Sequence, residues 1–142
     1  MSAIAAPRTQ RARAAALTTS IVALTVVTGA IHLSLGGLLF TLNALGYFAL
    51  AAAFVVAAAV SHPLVVRFSW LPRVALIGYA AASIVAWLVL GGFYSLGYFT
   101  KAVELALIVL VILDVYRVYG GLTGLIRHAV ASLRWTVASV RG

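Results

Sequence analysis

Cysteine is absent from the 142 residues, which excludes disulfides and thiolate metal sites and leaves no thiol from which to read a redox compartment. Acidic residues are almost as scarce: only Glu104 and Asp114 stand against ten Lys plus Arg, for a formal net charge of +8. Charged residues of both signs make up 8% of the chain, whereas soluble domains carry about 25%. With 65% of residues hydrophobic, an ordinary soluble domain is excluded and a membrane protein is indicated. In a soluble chain the basic excess would point to nucleic acid. Here the arginines gather at the edges of apolar runs, so they read as topology signals and no nucleic-acid partner is expected. No P-loop, nucleophile–base pair or paired carboxylates are present either, so no enzyme is expected.

What remains is apolar sequence cut by short breaks. A transmembrane helix needs roughly 20 apolar residues, and the chain offers four such runs, at about 14–35, 41–60, 73–90 and 97–116. The expected fold is an all-α, four-helix transmembrane bundle built as two helical hairpins. The first run is longer than the core of a cleavable signal and leads into more membrane sequence, so it reads as a retained helix. Residues 1–13, "MSAIAAPRTQRAR", read as a basic tail, and Gly36-Gly37 and Gly91-Gly92 as tight breaks. The connection "SHPLVVRFSWLPR" carries two prolines, of which Pro72 suits the first turn of a helix. Beyond the four-span region, 14–118, residues 119–142 repeat Leu122, Leu125, Ile126, Ala129, Leu133, Val137 and Val140 at helical spacing. Arg127, Arg134 and Arg141 fall on the opposite face. This reads as a basic amphipathic helix lying on anionic lipid headgroups or on a partner.

Orientation follows from the arginines. Arg8, Arg11 and Arg13, then Arg67 and Arg73, then Arg117 and the C-terminal three all fall on one side if the chain crosses four times. The positive-inside rule makes that side cytoplasmic, with both termini inside a cell membrane. Most aromatics fit the two interfaces, Tyr47, Trp87, Tyr94 and Tyr98 among them on the outer face. The segments "LGG" and "LGYF" at 35–37 and 45–48 return at 90–92 and 96–99, an echo shared by the two outer turns.

The unusual feature is the fourth span, "GYFTKAVELALIVLVILDVYR". A central Asp or Lys costs about 2.5–3.5 kcal/mol on the insertion scale and each large apolar residue returns about 0.3–0.6 kcal/mol. Lys101 can extend its ammonium toward the headgroups, but Glu104, about 10 Å in at 1.5 Å per residue, cannot. Lys101, three residues earlier, is its natural partner. His32 near the end of the first span and Asn43 near the start of the second reach similar depth. A buried cluster of His32, Asn43, Lys101 and Glu104 is therefore expected, serving either a relay or binding role or only helix register. Asp114 is expected to pair structurally with Arg117. No metal site is predicted, because no third ligand accompanies His32 and Glu104. His32 alone could still ligate a haem or pigment metal.

The segments "RVALIGYAAASIVAWLVLGG" and "LGYFTKAVELALIVLVILDV" resemble a group of small four-span bacterial and archaeal membrane proteins of unknown function. They share an Arg-led third span with Gly-Tyr and a later Trp, and a Gly-Tyr-x-x-Lys-x-x-Glu fourth span, with a further echo in "GAIHLSLG". The resemblance implies the fold and nothing catalytic, and it does not extend past Gly120. Small size, minimal loops and the Ala-rich "ALAAAFVVAAAV" lead to one functional expectation: a non-catalytic accessory or assembly subunit of an energy-transducing membrane complex, packing against other subunits or itself. The alternatives are a small transporter or proton/ion-conducting oligomer using the Lys/Glu/His cluster, and a pigment- or haem-binding subunit through His32.

Overall fold

The computed structural model describes residues 8–141, and helix is the only regular secondary structure among them. In chain order the elements are α1 (Arg8–Ser34), α2 (Leu38–Ala59), α3 (Pro63–Phe68), α4 (Trp70–Leu90), α5 (Ser95–Tyr119) and α6 (Leu122–Arg141). Four stretches are long and apolar enough to cross a membrane: α1, α2, α3 with α4, and α5.

Local chemistry sets the breaks. Gly36 and Gly37 take φ of 71° and 82°, a left-handed backbone that favours glycine, and α2 begins at the next residue. Gly120, also left-handed, closes α5 with its N–H on the Tyr116 carbonyl, the common glycine C-cap. Pro63 opens α3, where its missing N–H costs nothing, and His62 Nδ1 accepts from the Leu64 N–H at 3.3 Å. Pro72 cannot donate to the carbonyl four residues back, Phe68, and α3 ends there. Ser69 joins α3 to α4 with near-helical dihedrals.

The observed elements differ from the sequence reading at their ends. Residues 1–7 of the expected tail lie outside the described residues, while Arg8, Arg11 and Arg13 form the opening turns of α1 rather than a loose segment. The second span starts at Leu38, and the proline-bearing connection contains a helix of its own. The "LGG" echo does not extend to the backbone, since Gly91 is extended at φ −82° and neither it nor Gly92 has positive φ.

Helix α1 packs along α2 and α5, and α4 along α5 and α2; α6 rests on α3, α4 and α5. The core between them is Ile21, Tyr47, Phe54, Leu76, Leu107 and Val111, all fully buried. Close approach depends on small residues. A Cβ on Gly46 would strike the Tyr79 hydroxyl, and one on Gly97 would sit 2.8 Å from Trp87 Nε1. The exterior is the reverse of a soluble surface, with Leu38 76% and Leu90 81% exposed. A face of that kind suits hydrocarbon surroundings.

Candidate functional site

Two polar centres interrupt the core, one toward each end. The first lies near the end that carries the 35–37 and 91–94 turns. Glu104 on α5 is fully buried and gathers donors from three helices. Tyr47 on α2 donates its hydroxyl to Oε1 at 3.0 Å. Ser83 on α4 donates to the same oxygen at 2.8 Å. Lys101, one turn back on α5, meets Oε2 at 2.6 Å. The Lys101 ammonium also donates to Ser83 Oγ at 2.8 Å and to the Ser83 carbonyl at 3.3 Å. A buried carboxylate is tolerable only with such pairing, because desolvation costs several kcal/mol per ion. The charges of Lys101 and Glu104 cancel, and all three ammonium hydrogens have acceptors.

His32, in the last turn of α1 and 4% exposed, borders this group. Its Nδ1 lies 2.9 Å from the Thr28 carbonyl, which can only accept, so Nδ1 carries the proton there. Nε2 faces Ser83 Oγ at 3.5 Å and Glu104 Oε1 at 3.7 Å. Tyr47 is wedged in place by aromatic contacts, edge-on to Tyr79 at 4.9 Å and tilted against the His32 ring at 5.5 Å.

Above the cluster is a cavity of about 570 Å³, bounded by the ends of α1, α2, α4 and α5 and by the 91–94 turn. Leu35, Leu39, Phe40, Trp87 and Leu90 form apolar wall, while His32, Ser83 and Lys101 form its polar floor. Below the cluster the interior is apolar, filled by Phe54, Ile21, Leu76, Leu107 and Val111. Thr25, also buried there, has its hydroxyl on the Ile21 carbonyl at 2.7 Å.

The second centre lies at the opposite end. Asp114 on α5, fully buried, accepts from Arg73 Nε of α4 at 2.8 Å on one oxygen and from Arg117 on the other, with Arg117 Nε at 3.0 Å. Arg73 is 2% exposed, donates also to the Ser69 carbonyl, and lies over the Phe54 and Tyr119 rings at 5.2 and 5.6 Å. Charge-assisted bonds of this kind are the stronger class, and these lock α4 to α5. Tyr119 extends the link through its hydroxyl to Ser69 Oγ at 2.7 Å.

Comparison with known proteins adds no relative. No family model, curated protein or solved structure matches this chain.

The structure brings together His32, Lys101 and Glu104 of the expected cluster but not the side chain of Asn43. That residue borders the cavity and contributes its backbone carbonyl, to Tyr79 at 3.2 Å. Tyr47 and Ser83 complete the cluster in its place. Tyr47 reads in sequence as an interfacial aromatic and Ser83 has no role in the sequence reading, so neither carried a signal for the cluster. Asp114 pairs with Arg117 as expected, and also with Arg73, which reads in sequence as a topology arginine. Among the described residues no three His, Asp or Glu side chains converge to hold a metal ion. The nitrogen of His32 that a haem or pigment metal would take, Nε2, is the one facing Ser83 and Glu104.

Helix α6 is amphipathic as expected, yet its docked face differs from the expected apolar stripe. Leu125 and Ser132 are buried against the bundle, while Leu122, Ile126, Leu133 and Val137 are more than half or about half exposed. Ser132 Oγ donates to the Arg67 carbonyl at 2.7 Å, His128 Nε2 to the same carbonyl at 3.0 Å, and Arg67 lies over the Trp135 ring at 4.3 Å. Arg127 and Arg134 are exposed on the far side; the Arg141 side chain lies outside the described residues.

Proposed function

We propose that this chain is a multi-pass membrane protein that holds a small, largely apolar molecule in its four-helix cavity, as a non-catalytic subunit of a larger membrane assembly. In this reading the two-hairpin topology puts the cavity in the outer leaflet and both termini on the cytoplasmic side. One observation carries it: a polar floor of His32, Ser83 and Lys101, whose ammonium is paired with Glu104, lies under a largely apolar cavity of about 570 Å³, and an apolar layer packs beneath that floor. Binding pockets combine apolar walls with a few converging polar groups in this way. The apolar layer favours one-sided binding over passage of protons or ions through a single chain, because a conducting path needs polar groups or water along its length.

The test is what the purified protein carries. Extracted with surrounding lipid in a native nanodisc, the wild type should retain a lipophilic small molecule detectable by mass spectrometry. Ala86→Phe, which puts a ring on an exposed part of the cavity wall, should lose it. Equal retention by both, or none above empty nanodiscs, rejects the reading.

The assembly part rests on α2, where Ala52, Ala53, Ala58 and Ala59 all face outward. Small residues on a lipid-facing surface allow another helix to approach closely. A tagged chain in mild detergent should bring down other membrane subunits, and recovery of a bare monomer would remove this part while leaving the cavity reading intact.

A further inference from the structure

Helix α6 meets the rest of the chain along one narrow face. Leu125 and Ser132 are buried against the bundle, and His128 and Ser132 both reach the Arg67 carbonyl at the end of α3. Only Gly120 and Gly121 separate α6 from α5, yet its middle touches α3, so it runs across the end of the bundle instead of continuing α5. The docked face leaves the apolar stripe uncovered: Leu122, Ile126, Leu133 and Val137 are at least 50% exposed and Val130 is 41% exposed. Every residue from Leu133 to Val140 is exposed. At about 100° per residue, the stripe lies about a third of a turn from the docked face, and the exposed Arg127 and Arg134 lie about a quarter turn beyond it on the other side.

An apolar ribbon and a basic one thus run side by side on the open surface. The guanidinium groups need an anion from outside the chain, because its two acidic side chains, Glu104 and Asp114, are both fully buried in the centres described above. Resting on the multi-pass reading but not on the cavity, we propose that α6 binds anionic phospholipid, its stripe entering the acyl region while Arg127 and Arg134 hold headgroup phosphates. A helix that starts directly after the end of a span begins at headgroup depth, where hydrocarbon and phosphate lie next to each other as the two ribbons require. A protein partner would have to bring both an apolar groove and carboxylates to the same place. Each arginine near a charged lipid surface favours anionic over neutral lipid by about fivefold.

The test uses the full chain, which has no cysteine of its own, with single fluorophore-labelled thiols in nanodiscs of phosphatidylcholine and phosphatidylglycerol. Val137→Cys reports the stripe, Ala131→Cys the exposed side of α6 away from it, and Val109→Cys the half-exposed surface of α5. A nitroxide quencher is carried on the acyl chain of one lipid or the other. The probes at Val137 and Val109 should be quenched and that at Ala131 spared. Quenching titrations at Val137 should give phosphatidylglycerol an association constant at least about fivefold that of phosphatidylcholine. Arg127→Gln with Arg134→Gln should bring that ratio to about one and leave Val109 unchanged. Quenching at Val109 with Val137 spared overturns the proposal while the multi-pass reading stands, and disulfide-linked dimers of Val137→Cys would then name a second copy as what covers the stripe. Equal quenching at Val137 by the two lipids, or a preference that survives loss of both arginines, overturns the anionic-lipid role. Quenching at neither Val137 nor Val109 overturns the proposal and the multi-pass reading together.

Discussion

Glu104 concentrates the energetic argument at the scale of single residues. It is the acceptor for Tyr47, Ser83 and Lys101 at once, so Glu104→Leu leaves one fully buried donor, Tyr47, and two partly buried ones without their carboxylate. Breaking a buried pair from one side typically costs about 3–5 kcal/mol, while replacing both partners by apolar groups is often neutral. Glu104→Leu should therefore lower the unfolding midpoint in detergent sharply, and Lys101→Met with Glu104→Leu should recover much of the loss. If the double variant is as unstable as the single, the ion pair is not what the site protects. Residues differ in how visible this was beforehand. Lys101, Glu104 and His32 stand out in sequence because ionisable groups in an apolar run demand a partner. Tyr47 and Ser83 do not, because a tyrosine near a span end and a serine among alanines are both at home in a membrane helix without one. Arg73 was hidden for a similar reason: a basic residue at a span end satisfies the topology rule whether or not it reaches inward to Asp114.

At the scale of helices, the four long apolar helices were legible because a helix able to cross a bilayer must meet a length and an apolar content that sequence displays directly. How they face one another was less so, since an apolar residue is equally content against lipid or against a neighbour. Helix α6 shows the difficulty. Its periodicity marks an apolar stripe, but the face that docks uses Ser132 and His128 on the Arg67 carbonyl. That carbonyl is free because α3 ends at Phe68, and helix ends leave carbonyls in need of donors. The glycines provide a contrast that can be measured. Gly46 faces the Tyr79 hydroxyl, so Gly46→Ala should overpack the α2/α4 contact and destabilise by about 1–3 kcal/mol. Gly78, with nothing near its absent Cβ, should tolerate alanine and gain up to about 1 kcal/mol from helix propensity. Thermal unfolding of the two variants in one detergent checks both, and equal effects would mean that the helices do not meet as described.

For the molecule as a whole, the decisive quantity is the number of crossings, because every basic segment falls on one side only if that number is even. The two polar centres depend on it as well: one would lie in each leaflet, with Asp114 and its two arginines at the cytoplasmic depth and the cavity at the other. The lack of cysteine makes the arrangement testable with single introduced thiols and no background. Ser61, Ser95 and Thr123 are exposed, in the α2/α3 connection, at the start of α5 and in the first turn of α6. In intact cells a membrane-impermeant maleimide should label Ser95→Cys, while Ser61→Cys and Thr123→Cys should react only after permeabilisation. Labelling of Ser95→Cys together with Thr123→Cys in intact cells would mean that α5 does not cross between them and that the total number of crossings is odd. The arginines of α6 would then lie outside, against the charge asymmetry, and the cavity would lose its separation from the Asp114 side.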